Sequence, residues 1–463
     1  MNLNKTLLLS SLFLVHGCTT TNLEPAPTSS VISNAVVQPK AATAAQPNPC
    51  TDLSSSIPII RVLSAQIPVD RTRVDAQYRF YDKPGANGRY SPNGSYQSGS
   101  GTIHARGQGS LGFPKKSFSI NLGKENPLSL MGMASSHKWV MIGNYIDTSH
   151  LTNKMSYDLY AEMGHYGPES RHVQLCFNDQ YWGLYTFGEK VNRGEGRVDT
   201  RKKSKGGFIV KLVDNGWNFT TPSGRQMQYE YPDCEEASEE QKNNIRDKIK
   251  TYEEKVISGG NWREDLNEIA ESDYFIITDA FANPDSYYQD KNLFYFLNKE
   301  DKLEPVIWDF IWSFGPPYYT ENGNNPWPNI YDQGQLMYGN RNLGNLTGYN
   351  RFCLTRYYLA DKQNVDTFKQ RYQNWRTGAN GYPNLLSDAS ILARWEKLVA
   401  PLNDGVYEQD RRRWDYIKRR YTAEEIRDKL LERLKIMDQS VANLRVIDIG
   451  GSCTSYPSGS CPQ

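Results

Sequence analysis

Histidine is scarce in this chain, with six in 463 residues. His104, His137, His150, His165 and His172 are scattered and lack the short spacings of a metal motif. No Gly-x-Ser-x-Gly elbow is present, which removes support for a hydrolase of that type. Cysteine is sparse as well, and none of the seven stands at the short interval that a zinc site uses. Net charge is almost absent: 53 basic against 52 acidic residues gives +1, so no whole-molecule field draws the chain to nucleic acid or to an anionic membrane surface. Long hydrophobic runs are missing too. Leu7 to Val15, behind Lys5, falls far below the roughly 18 residues of a spanning helix and reads as a secretory signal.

That signal ends Val15-His16-Gly17-Cys18, which resembles the lipobox of bacterial lipoproteins, where the Cys becomes the lipidated first residue. Residues 1–17 are therefore expected to be removed, and 18–49 to form a lipidated Cys18 and a disordered tether. The tether is rich in Thr, Ser, Ala and Pro and has too few large apolar side chains to offset the entropy of ordering. The expected location is the bacterial cell envelope, on the outer membrane or cell surface, facing the periplasm or the exterior. Thr19 after Cys18 is compatible with outer-membrane delivery, and the membrane would be met through the lipid anchor only. Without Cys18, six cysteines remain: Cys50, Cys176, Cys234, Cys353, Cys453 and Cys461. An even number fits disulfides in an oxidising compartment, with the pairing open; Cys453 and Cys461 could close a loop in the tail, 451–463.

What the chain does have is a change of periodicity. Strand signals fall at 57–63, 74–81, 101–106, 117–122, 138–143, 172–177, 183–188 and 207–213. One helix, 149–163, interrupts them, with Leu151, Met155, Leu159 and Met163 as its apolar stripe. Glu162 near its end could face inward to a lysine. From 238 onward helices dominate: 238–257, 263–282, 361–376, 387–400, 406–418 and 422–442. The class is α+β, with a strand-rich part over 50–230 and a helix-rich part over 231–450. Two lobes are expected because single cores stop growing near about 250–300 residues.

A hairpin breaks the helical half. Residues 293–297 and 303–308 read as strands joined by the polar loop 298–302. Asp285 and Asn292 precede this hairpin and Trp308-Asp309-Phe310 closes it, so Asn292 and Asp309 meet at its open end. Phosphoryl transfer needs a carboxylate to receive the acceptor's proton, and a second carboxylate with an amide oxygen to hold a metal against nucleotide phosphates. Asp285, Asp309 and Asn292 supply those groups; the same residues also suit ordinary turns.

Several further segments occur in a telling order: Ile57-Pro58-Ile59-Ile60-Arg61-Val62, Ala105-Arg106-Gly107-Gln108-Gly109-Ser110, Pro114-Lys115-Lys116-Ser117-Phe118, Lys138-Trp139-Val140-Met141, Asn153-Lys154, Tyr181-Trp182-Gly183-Leu184-Tyr185, Glu189-Lys190 and Gly206 to Lys211. Together they resemble the CotH kinase family, atypical secreted protein-kinase-like proteins named for spore coat protein H, over roughly 57 to 450. The resemblance implies a two-lobed kinase-like fold with nucleotide between a strand-rich N-terminal and a helix-rich C-terminal lobe. It implies Asp285 as catalytic base, Asn292 and Asp309 as metal ligands, and ATP with Mg2+ or Mn2+ as cofactors. Family members usually resemble Pro-Trp-Asp-Phe-Asp where this chain has Ile307-Trp308-Asp309-Phe310-Ile311, so the second carboxylate is missing.

Glycines at 107, 109 and 112 permit close backbone approach to phosphate, and Arg106, Lys115 and Lys116 flank them. Either one of these cations holds phosphate, or they mark a basic turn. Glu189-Lys190 is similarly either a cleft pair or the exposed end of a strand. Tyr181, Trp182, Tyr185 and Phe187 alternate as core residues do. The resulting expectation is a lipid-anchored atypical kinase moving the γ-phosphoryl group of ATP to Ser or Thr of an exported protein. Two alternatives are an inactive kinase-like envelope protein binding a protein or glycan, through the cleft or the loops around Trp327 and Tyr331, and an AMP transferase.

Overall fold

The computed structural model describes residues 50–213, 216–283, 285–286, 292–315, 358–414 and 421–446. The signal and tether, Cys18, the loops around Trp327 and Tyr331, and the tail cysteines lie outside them.

The first seven strands are β1 (Ile59–Ser64), β2 (Val74–Tyr81), β3 (Gln97–Arg106), β4 (Ser117–Asn121), β5 (Lys138–Ile142), β6 (Ser170–Phe177) and β7 (Gln180–Glu189). They close into a barrel in the order β1-β2-β3-β4-β5-β7-β6, with β1 joining β6 in parallel and the remaining pairs antiparallel. Alternate residues turn inward, as strand geometry requires, so Tyr78 and Phe80 of β2 meet Phe118, Phe177, Tyr185 and Phe187 in one core. Tyr185 and Phe187 are thus core residues, as their alternation suggests. A Cys50–Cys176 disulfide ties the start of the described chain to β6, and Cys234 is disulfide-bonded as well.

Helix α1 (Thr152–Glu162) leaves the barrel between β5 and β6. Asp147 fixes its start by accepting from the Thr152 amide at 3.1 Å and the Thr152 hydroxyl at 2.6 Å. The stripe Leu151, Met155, Leu159 and Met163 is buried as expected. Glu162 lies off that stripe, so it faces outward and pairs with Arg394 at 2.6 Å instead of with a lysine.

Strands β8 (Ile209–Leu212), β9 (Phe219–Thr220) and β10 (Gln226–Tyr231) leave the barrel and form a second sheet with β11 (Phe294–Leu297) and β12 (Leu303–Val306). Its order is β12-β11-β8-β10-β9. Strand pairing therefore does not break at residue 230: the expected hairpin forms and adds to strands from the earlier half. Asn298 seals its loop by accepting from the amides of Glu300 and Lys302 at 3.0 and 2.9 Å.

Further helices among the described residues are α2 (Glu239–Ser258), α3 (Glu268–Ala280), α4 (Lys362–Thr377), α5 (Asp388–Asn403), α6 (Val406–Arg413) and α7 (Ala423–Ala442). Capping boxes start α2 at Ser238 and Gln241 and α7 at Thr422 and Glu425. One continuous core joins α1, the second sheet and these helices. Helix α6 docks on β7 at Gly183, where a Cβ would fall 2.5 Å from Asp410 Oδ1 and 2.7 Å from Trp414 Nε1. None of the helices among the described residues is long and apolar enough to cross a membrane.

Candidate active site

Register brings the site together at one end of the second sheet. Phe294 of β11 pairs with Lys211 of β8 on one side and Val306 of β12 on the other. Asn292 lies just before this row and Asp309 just after it. Helix α3 delivers the third member: its chain runs through Phe281 and Ala282 to Asn283, whose Nδ2 donates to Ser286 Oγ at 3.0 Å and to the Asp309 carbonyl at 3.2 Å. Asn292 Nδ2 donates to Asp285 Oδ2 at 3.1 Å. Asn292 and Asp285 are thus joined directly, and Asn283 ties the Asp309 backbone to Ser286, the neighbour of Asp285.

Backbone strain marks the same place. Asn292 and Asp309 take φ of 60° and 57°. Asn and Asp visit this left-handed region more readily than other side chains do, yet each such residue carries a cost of about 1–3 kcal/mol that its surroundings must offset. Offsetting contacts come from α1, where Tyr157 Oη accepts from Asp309 N at 2.9 Å and Asn153 Oδ1 accepts from Phe310 N at 2.6 Å. Tyr157 also stacks on Trp308, with ring centroids 5.9 Å apart.

Charge gathers around Asp309. Arg106, at the end of β3, lies over the Trp308 ring at 5.3 Å, and Lys211 over Phe294 at 5.4 Å. Lys190 pairs with Glu230 of β10 at 3.1 Å. Burial raises the Asp309 carboxyl above its ordinary range, against the pull of Arg106 and Lys211. Burial also works on Glu230, but Lys190, Lys211 and Arg106 outweigh it and hold that carboxyl low. His104, two residues before Arg106, is pushed down to about 4 by burial and by Arg73, Arg106, Lys190 and Arg71, so it is neutral at neutral pH.

Asp309 Oδ1 is buried and has no hydrogen-bond partner among the described residues. A buried carboxylate oxygen left unpaired is costly unless something else satisfies it. Because Asn292 uses its NH2 on Asp285, its amide oxygen is the atom available for another ligand. Carboxylate and amide oxygens are hard donors, which suit Mg2+ or Mn2+. The residues therefore fit a divalent cation, although no cluster of three or more His, Cys, Asp or Glu is found among the described residues.

The family profile described as CotH kinase protein matches residues 103–437. The chain belongs to the CotH kinase family. A comparison with curated proteins finds no match. Membership makes this a kinase-like protein of a family that uses a nucleotide and a divalent metal in general terms.

Not every cation read from this CotH chain comes to the site. Lys115 turns into the protein, where its Nζ lies 2.8 Å from Asp410 Oδ1 of α6, both side chains buried. The physical reason is an unmet acid: Asp410, also bonded by Leu184 N at 2.8 Å, needs a buried cation. Lys116 donates to the Leu111 carbonyl. Glu189 is buried, accepting from Tyr166 Oη at 2.9 Å and Glu169 N at 3.3 Å, with Arg197 3.4 Å away. Arg106 and Lys190 do reach the charged cluster.

Sequence reasoning missed Lys211, Glu230 and Asn283. Lys211 ends an apolar run and reads as a strand terminus. The strand carrying Glu230 had a signal, since Met227 and Tyr229 are buried between more open Gln226, Gln228 and Glu230.

Proposed function

We propose that this protein is an exported, lipid-anchored phosphotransferase that moves the γ-phosphoryl group of ATP to a Ser or Thr hydroxyl of another exported protein. The observation that carries the reading is the buried Asp309 Oδ1, which has no hydrogen-bond partner among the described residues, together with the Asn292–Asp285 hydrogen bond at the start of the same hairpin. Asp309 and the Asn292 amide oxygen would hold Mg2+ or Mn2+. That ion supplies charge neutralisation at the nucleotide phosphates.

The chain's own residues do the rest. Arg106 from the barrel and Lys211 from the second sheet both act on the Asp309 carboxylate, and both suit triphosphate oxygens. Lys190 offsets the charge of Glu230, with which it pairs. The Asn292 amide orients the Asp285 carboxylate, which receives the proton of the acceptor hydroxyl.

The test is incubation of the full chain with Mg2+ or Mn2+ and ATP labelled on the γ or the α phosphate, beside Asp309→Ala and Asp285→Asn. Transfer of γ label that both variants lose, with nucleotide binding lost only in Asp309→Ala, supports the reading. Retained α label would replace it with nucleotidyl transfer.

One observation favours a second reading, a kinase-like envelope protein that binds a partner without catalysis. The place of a second carboxylate is taken by Ile311, whose side chain is buried. No metal-dependent nucleotide binding in the wild type would make that reading the leading one.

A further inference from the structure

Three consecutive backbone groups at Asp309 and Phe310 are each held by a side chain: both amides by α1, and the Asp309 carbonyl by Asn283. Asn153 and Tyr157 stand one helical turn apart, so their acceptors line up on one face of α1. Behind them the donors and acceptors can be ordered in one direction only. Phe310 N takes Asn153 Oδ1, so the Asn153 NH2 faces Asn144 Oδ1 at 3.3 Å. The Asn144 NH2 then donates to Thr186 Oγ1 at 2.8 Å and to His150 Nδ1 at 2.9 Å. His150 must accept at Nδ1, which requires a neutral ring with its proton on Nε2, toward Asp410 Oδ2 at 3.7 Å. Burial and Lys115 keep His150 below its usual pKa, consistent with that state.

We propose that Asn153 and Tyr157 are positioning residues that hold Asp309 in its left-handed conformation and so aim its carboxylate at the metal and nucleotide. The inference rests on the reading of Asp309 as a metal ligand. Both side chains act through the backbone amides, and Asn144 with neutral His150 fixes the orientation of the Asn153 amide. A clamp of this kind removes the need for Asp309 to be reorganised when nucleotide arrives.

Tyr157→Phe is the sharpest probe, because it removes one acceptor and keeps the ring on Trp308. The control is Tyr160→Phe on the same helix, whose hydroxyl donates to the carbonyls of Ala270 and Pro305 at 3.1 and 3.2 Å, away from Asp309. Two readouts are taken on the full chain: Mn2+-dependent ATP binding by calorimetry, and amide hydrogen exchange over residues 308–311. Tyr157→Phe is expected to weaken metal-dependent binding and to accelerate exchange at Asp309, each by about tenfold. Tyr160→Phe lowers Tm and leaves both readouts near the wild-type values. Asn153→Ala should repeat the Tyr157→Phe result at Phe310. Wild-type binding in Tyr157→Phe, or an equal loss in Tyr160→Phe, overturns the proposal. If the wild type shows no metal-dependent ATP binding, the functional reading fails separately. The clamp is then judged by exchange alone, and unchanged exchange in Tyr157→Phe overturns it.

Discussion

Replacing Lys115 with Met separates two roles for that lysine. Its Nζ lies 2.8 Å from Asp410 Oδ1, with the side chains 0% and 4% exposed. Methionine keeps an unbranched apolar stem and removes the charge, leaving Asp410 with Leu184 N but without its cation. In the intact protein burial pushes the Asp410 carboxyl up, yet Lys115 outweighs it and helps to hold it far below the usual carboxylate range. Breaking one side of such a pair costs about 3–5 kcal/mol, a large part of the roughly 5–15 kcal/mol that holds a domain together. Asp410→Asn should cost about as much, because it leaves a buried ammonium while preserving an oxygen for Leu184 N. The double variant buries no charge at this position and is expected to be at least about 2 kcal/mol more stable than the two single losses would predict by addition.

The pH dependence has a definite sign. A depressed carboxyl contributes stability that is fully present above the ordinary carboxylate range and is lost as pH falls toward the depressed value, so the advantage of wild type over Lys115→Met shrinks in acid. Urea unfolding followed by tryptophan fluorescence, in parallel with nucleotide binding, measures both sides. Unchanged urea stability with weakened nucleotide binding would refute the argument and return Lys115 to the phosphate site.

Other outcomes follow from other features. Because burial raises the Asp309 carboxyl, metal-dependent nucleotide binding should fall at a higher pH than for an ordinary Asp, and Asp309→Asn should abolish binding while raising Tm at neutral pH, as calorimetry would show. Cys50 and Cys176 are 126 residues apart, so their double Ser variant should lose about 4–5 kcal/mol on the chain-entropy account, read from urea midpoints. Gly183→Ala would push a methyl group against Asp410 Oδ1 and Trp414 Nε1 and should lower stability by about 1–3 kcal/mol in the same assay.

The parts of this fold that local pattern determines were legible. The stripe from Leu151 to Met163 marks α1, and alternation in 74–81 gives a strand with those same bounds. The hairpin around Asn298 declares itself through a polar loop between apolar runs. What sequence could not supply was the partition of strands between two sheets, because β8 and β11 pair across more than eighty residues of intervening chain. The site divided the same way. Asp285, Asn292 and Asp309 are close in sequence and were read together, whereas Asn153 and Tyr157 reach Phe310 and Asp309 across separations of 157 and 152 residues. Arg106 and Lys115 flank the same glycines; only the third dimension shows one over Trp308 and the other beside Asp410.

Because β8 and β11 are hydrogen-bonded neighbours, Lys211 and Asp309 belong to a single plank. A shift of the barrel against that plank would carry Arg106 and Lys190 with it, while reaching Asp309 only through Asn153 and Tyr157 of α1. Any control exerted by such a movement would therefore be felt by half of the cationic cradle, as a graded change in how many positive groups meet the phosphates.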